Sequence, residues 1–399
     1  MKSKAYAAGL GVISAIGKDL AENLEALKNH QAGIGPITLF ESIHKNKLPV
    51  GEVKVTNEKL ASSLKLPTTL TRTALLGIHA VKEAIQSSGI PELRKWRCGI
   101  ISGTTVGGMD KSEQYYETFM RNEDSAPLHQ IKNHECGKIT ELIASHFQIQ
   151  DFISTINTAC SSSANSIMLG SKLIANDQLD IVIAGGTDAL TRFTLNGFNS
   201  LMILDSEPCR PFDETRKGLN LGEGAGYIVL VSEKVLEQEK VRPLAIVSGY
   251  ANTNDAFHQT ASSPEGRGSF SAMKSALEMA NLMPTDIDYI NLHGTGTQNN
   301  DSSEGIAVER LFGENVPKAS STKSFTGHTL GASGGIEAVY SIASIQSKVV
   351  YPNLRFNHQM SEIKFAPLKS FQKGVEVNHV MSNSFGFGGN CSSLTFSSC

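Results

Sequence analysis

Three short stretches of this chain set reactive side chains among small neighbours. Asn157 to Ile167 reads NTACSSSANSI, a strand end followed by small residues that open a helix with Cys160 in its first turn. Unpaired backbone N–H groups and the helix dipole place partial positive charge there, which favours a thiolate and the oxyanion formed when that thiolate attacks a thioester. Asn291 to Thr297 reads NLHGTGT and follows the apolar run Ile287 to Ile290, so His293 sits at a strand end beside a glycine, where backbone can approach a ligand closely. Ser321 to Gly334 reads STKSFTGHTLGASG and places Lys323 and His328 in a small-residue loop ahead of a helix from Gly335. Each stretch has a plainer reading alone: a serine-capped buried cysteine, a satisfied strand-end histidine, a polar loop. Together, in this order, they point to cysteine-dependent transfer of an acyl group between thioesters.

The elements that must position these residues alternate in type. Short apolar or β-branched runs at Cys98 to Ile101, Ile181 to Ala184, Tyr227 to Val231, Leu244 to Ser248, Ile287 to Leu292 and Val380 to Ser382 read as strands. Thr71 to Ser88, Ser161 to Asn176, Ser269 to Ala280 and Gly335 to Ser347 carry helical periodicity, and the alternation marks an α/β protein. Leu221 to Val231 (LGEGAGYIVLV) and Ser384 to Phe396 (SFGFGGNCSSLTF) each read as strand, glycine turn and strand, which suggests a duplicated unit joined near Arg242, after a charged helix at Ser232 to Lys240. The halves are then residues 1–241, carrying the cysteine, and 242–399, carrying both histidines.

A length of 399 residues exceeds what one core supports, in keeping with two domains or two similar halves. The 36 Lys and Arg nearly balance 39 Asp and Glu without like-charge runs, which argues against a nucleic-acid binder. Glycines at 9, 11 and 17 interrupt the apolar N-terminal stretch, so Ala5 to Ile16 reads as a buried strand rather than a secretory leader. No apolar run reaches the length of a membrane span, and the expected location is cytoplasmic. The six cysteines show no C-x-x-C spacing and no nearby His or Asp cluster, so neither zinc nor a disulfide framework is expected, and Cys98, Cys136 and Cys209 read as small core residues.

The three stretches, the opening AAGLGVISAIG, the block Cys209 to Gly226 (CRPFDETRKGLNLGEGAG) and the closing Asn383 to Gly389 (NSFGFGG) together resemble the condensing enzymes of the thiolase superfamily. The likeness is to 3-oxoacyl-[acyl-carrier-protein] synthases of the elongating type and spans essentially the whole chain. It implies a five-layered αβαβα sandwich of two similar halves. It also implies that Cys160 takes an acyl chain from a carrier-protein phosphopantetheine thioester. A malonyl thioester then loses its carboxylate, and the resulting enolate attacks the Cys160 thioester. Decarboxylation supplies the carbanion without a strong base, so no metal or organic cofactor is called for. By resemblance His293 and His328 donate to the enolate oxygen, while Lys323 and Glu304 form a buried ion pair that orients His328. The backbone N–H groups of Cys160 and Phe387 hold the oxyanion, and the Phe387 ring gates the acyl site. Thr295 and Thr297 meet the pantetheine amides, and Val106 in the GTTVGG turn faces the acyl pocket. Relatives are dimers, so an acyl carrier protein and a second ketosynthase chain, identical or a chain-length factor, are the implied partners.

The pattern departs from the family at two places. Asn390 and Cys391 follow the GFGG turn where relatives have Thr-Asn, and only Lys65 and Arg72 remain of a basic carrier-docking patch. With the LNGFNSLMILD stretch at Leu195 to Asp205, these departures look like ketosynthases of aryl-polyene-type pathways and hint at a dedicated carrier protein. Two other readings stand beside this one: a biosynthetic thiolase using Cys391 as a second catalytic cysteine, and a non-catalytic chain-length factor.

Overall fold

The computed structural model describes residues 4–122 and 128–399. Ten strands carry the architecture: β1 (Tyr6–Ser14), β2 (Cys98–Gly103), β3 (Phe152–Ile156), β4 (Ile181–Asp188), β5 (Gly224–Val231), β6 (Ala245–Asn254), β7 (Tyr289–Asn291), β8 (Lys318–Ser320), β9 (His379–Phe385) and β10 (Asn390–Ser397). Their order is β8-β7-β9-β10-β6-β1-β5-β4-β2-β3. Counted outward from the centre, each half runs first, fifth, fourth, second, third. The first two pairings are antiparallel and the last two parallel in both halves. The half-sheets join where Tyr6 and Ala7 of β1 meet Ile246 and Ala245 of β6.

Five helices complete the layers: α1 (Arg72–Ser88), α2 (Ser162–Ala175), α3 (Arg267–Ala280), α4 (Gln298–Phe312) and α5 (Ser333–Ser347). Helices α2 and α5 touch strands of both half-sheets and form the middle layer, whereas α1 covers one outer face and α3 with α4 the other. The result is a thiolase-like αβαβα sandwich. Strand alternation explains the layering: Ile181 and Ile183 of β4 face the outer core, while Val182 and Ala184 face the central one. Every residue of α5 from Ser333 to Ile345 is buried, as its place between the two half-sheets requires.

The expected strands and helices are present, with shifted ends. β4 runs on through Gly185 and Gly186 to Asp188, because the Gly226 and Gly103 carbonyl oxygens come within 2.0 and 2.5 Å of where Cβ atoms would stand. At Leu221 to Val231 only β5 is regular. Leu221 bridges to His328, and its carbonyl accepts from Gly51 N–H, so loops rather than a sheet partner take up that segment. Arg242 lies in the link between a helix at Glu233–Glu239 and β6. Among the described residues no helix is long and apolar enough to cross a membrane.

Candidate active site

Cys160 sits in a tight turn between β3 and α2. Ala159 adopts a left-handed φ of 52°, which costs a residue with a side chain about 1 kcal/mol or more and needs local support. The neighbouring hydroxyls give it. Ser162 Oγ accepts from Thr158 N–H (2.9 Å) and donates to the Ala159 carbonyl (2.6 Å), while Ser161 Oγ donates to the Thr158 carbonyl (2.8 Å). The helix begins at Ser162 with Ser161 as its cap, so Cys160 lies just ahead of the first turn rather than within it. The expected thiolate is not the resting state: burial pushes the thiol up to about 11, against the opposing pull of Lys323 and of the backbone N–H groups of Phe387 and Cys160.

His293 follows β7, and its loop is clamped from below by α4. Glu304 accepts from His293 N–H and Gly294 N–H, each at 2.8 Å, and Asp301 accepts from Thr295 N–H at 3.0 Å and Gly296 N–H at 3.2 Å. Lys323 Nζ stands 3.2 Å from His293 Nδ1. An ammonium can only donate, so Nδ1 accepts and the ring proton is on Nε2. His328 reaches the same state by another route, its Nδ1 accepting from Leu330 N–H at 3.0 Å. Burial holds His328 down to about 3 and His293 well below the ordinary range, with the Lys323 charge adding to both. Both rings are therefore neutral Nε2–H donors.

The sulfur of Cys160 and a ring nitrogen from each histidine lie within 4.8 Å of one another, and the two rings meet edge to face with centroids 5.4 Å apart. They line a cavity of about 290 Å³ together with Thr295, Thr297 and Phe387. Thr295 and Thr297 hydroxyls are 2.9 Å apart. The GFGG turn rests on the cysteine: a Cβ at Gly386 would lie 3.0 Å from Cys160 N, and Gly388 and Gly389 take φ of 76° and 79°. The Phe387 ring stacks on Phe198 at 5.8 Å.

Models of the beta-ketoacyl synthase N-terminal and C-terminal domains match residues 7–235 and 244–357. The chain belongs to the beta-ketoacyl synthase family. It is similar to 3-oxoacyl-[acyl-carrier-protein] synthase 2 of Staphylococcus aureus strain COL, 33% identical with 97% of this chain and 96% of the relative covered. The enzyme of the same name in Coxiella burnetii strain RSA 493 is 31% identical, with 99% of each covered. Among solved structures, the ishigamide ketosynthase/chain length factor superposes with a TM-score of 0.94 at 26% identity, with 100% of both chains covered. The ketosynthase ApeO in complex with its chain length factor ApeC from Xenorhabdus doucetiae gives 0.87 at 30% identity, covering 100% of this chain and 98% of the other. The protein is thus an acyl-transferring condensing enzyme of the elongating type.

Three expectations for this ketosynthase are corrected by its structure. Lys323 pairs with Glu337 of α5, not with Glu304, which is spent on the His293 and Gly294 amides. Burial raises both carboxyls to about 7, and Lys323 opposes the rise at Glu337. Val106 does not line the cavity. It packs with Leu190, Leu195, Leu219 and Leu330 in a cluster that meets the cavity at Leu219. Arg72 is not a surface cation, since its guanidinium is buried against Glu223, with Nη2 2.6 Å from Oε1, while Lys65 is exposed. Cys391 lines the cavity, its thiol 3.9 Å from Ser269 Oγ and pushed up to about 12 by burial.

Residues missed from the sequence are Glu337, Asp301, Asp188 and Phe198. Glu337 left a signal as the single charged residue of α5. Asp301 and Glu304, one helical turn apart after HGTGT, left another.

Proposed function

We propose that this enzyme extends an acyl chain on Cys160 by decarboxylative condensation with malonyl-[acyl-carrier protein], in the cytoplasm. The observation that carries this is the pair of imidazoles whose Nδ1 atoms accept from Lys323 and Leu330, each with a ring nitrogen within 4.8 Å of the cysteine sulfur. In the first step the Cys160 sulfur attacks the acyl thioester. The carrier sulfur leaves and takes the proton that Cys160 loses, while N–H groups of Cys160 and Phe387 receive the oxyanion. In the second, malonyl C–C cleavage releases carbon dioxide, and the enolate oxygen takes hydrogen bonds from His293 and His328. The carbanion then attacks the acyl carbonyl of the Cys160 thioester and expels the Cys160 thiolate, which regains a proton from solvent, leaving a 3-oxoacyl thioester two carbons longer on the carrier.

Lys323 and Glu337 fix His293, and Glu304 fixes the backbone beneath it. Thr295 and Thr297 meet the phosphopantetheine amides of the carried substrate, Phe387 gates the acyl site, and Val106 backs the wall beyond Leu219. The unit boundary is placed between residues 241 and 242. Acyl carrier protein is the delivering partner, and a second ketosynthase chain or chain-length factor completes a dimer, a reading supported by the complex of ApeO with its chain length factor. The departures at Asn390 and Cys391 and the Leu195 to Asp205 stretch support an aryl-polyene-type pathway over general fatty-acid elongation.

Mass spectrometry after exposure to an acyl-carrier thioester should show the acyl adduct on Cys160. Cys160→Ala should abolish condensation, whereas Cys160→Gln should retain malonyl decarboxylation. Asparagine at His293 or His328 should lower decarboxylation by about a hundredfold or more. Normal malonyl turnover in both histidine variants would remove the imidazoles from the mechanism.

A further inference from the structure

Asp188 ends β4 wholly buried, and among the described residues its side chain takes hydrogen bonds from two segments. Oδ1 accepts from Thr104 Oγ1 (2.6 Å), Thr105 N–H (3.0 Å) and Val106 N–H (3.0 Å). Oδ2 accepts from Thr105 Oγ1 (2.7 Å), Thr105 N–H (3.1 Å) and Gly331 N–H (2.7 Å). The first segment is the GTTVGG turn. The second lies three residues past His328.

Leu330 stands between His328 and Gly331 with a left-handed φ of 54°. A leucine holds such a backbone only when its surroundings impose it. In that conformation its N–H points at His328 Nδ1, 3.0 Å away. The next peptide is the one Asp188 holds, and the approach is too close for a side chain: a Cβ at Gly331 would lie 2.9 Å from Asp188 Oδ2 and 3.1 Å from Thr105 Cγ2. An amide cannot replace the carboxylate, since either orientation of an asparagine sets its NH2 against a backbone N–H.

We propose that Asp188 is a positioning residue for the condensation: by holding Gly331 N–H it keeps Leu330 left-handed, and Leu330 N–H in turn fixes the His328 proton on Nε2. The inference rests on the role proposed above for His328.

The test measures kcat and KM for malonyl-thioester decarboxylation in a Cys160→Gln background. Asp188→Asn and Gly331→Ala should each lower kcat about tenfold or more with KM within about twofold, because they disturb the donor and not the binding site. Thr105→Ser, which keeps the hydroxyl that donates to Asp188 Oδ2, should leave kcat unchanged. Unchanged kcat in Asp188→Asn overturns the proposal, as does an equal loss in Thr105→Ser. Where Asp188→Asn does not fold, Gly331→Ala decides alone by the same criterion. Where Cys160→Gln itself does not decarboxylate, the functional reading fails, and 15N shifts of His328 still decide for Asp188: a changed tautomer in Asp188→Asn supports its role, and an unchanged one overturns it.

Discussion

Lys323 Nζ lies 3.2 Å from His293 Nδ1 and on its other side meets Glu337, so one buried cation sets a tautomer while its own charge is balanced by α5. Lys323→Met removes both effects. Decarboxylation should fall by about a hundredfold, and the stranded Glu337 should lower folding stability by about 3 to 5 kcal/mol. Kinetics and urea unfolding of the same variant check the two parts. Adding Glu337→Gln should restore much of the stability without restoring turnover.

The low value at His328 makes a stability prediction with a definite sign. Its folded-state value is depressed from 6.5 to about 3, so between those limits the unfolded chain binds the extra proton. Stability is complete above the unfolded value and lost as pH falls through that window. Wild type should therefore lose about 2 to 3 kcal/mol more than His328→Asn between pH 8 and about pH 4.5. Urea midpoints at the two pH values measure it, and equal losses would remove His328 from the buried neutral state.

Gly386→Ala separates the two half-reactions. The new methyl would stand 3.0 Å from Cys160 N and 3.1 Å from the Thr158 carbonyl, forcing the GFGG turn and its Phe387 N–H away from the sulfur. Acyl transfer to Cys160 should drop by about a hundredfold while malonyl decarboxylation in the Cys160→Gln background persists. Adduct formation followed by mass spectrometry gives the first quantity and carbon dioxide release the second.

Arg72→Ala should behave as a core lesion. The guanidinium donates to Glu223 and to the Val53 and Val55 carbonyls, so its loss should destabilise the fold by about 3 to 5 kcal/mol. Lys65→Ala should leave thermal unfolding unchanged and raise the KM for carrier-borne substrate. Reversed outcomes would return Arg72 to the docking surface.

The Cys160, His293 and His328 segments were legible because each motif encodes its own backbone: serines that close a turn, glycines that admit close approach, a strand that ends at the histidine. Ion-pair partners were not. Glu304 and Glu337 both lie within helices, α4 and α5, and only the stacking of α5 between half-sheets brings Glu337 to Lys323. Arg72 reads as a helix-start cation, and its burial follows from Glu223, which is distant in sequence. Asp188 lies beyond the expected strand Ile181 to Ala184, and it joins β4 because adjoining backbones crowd Gly185 and Gly186 and carry the strand on.

The sulfur belongs to one repeat and both rings to the other, each carried on the rim of a different slab. The spacing that governs reactivity is thus a thickness, set by how α2 and α5 fill the space between sheets rather than by any surface loop. A methylene too many at that seam would act as a catalytic lesion at a distance, and changes that tune the enzyme without breaking it belong at the mouth, where Met202 is 89% exposed.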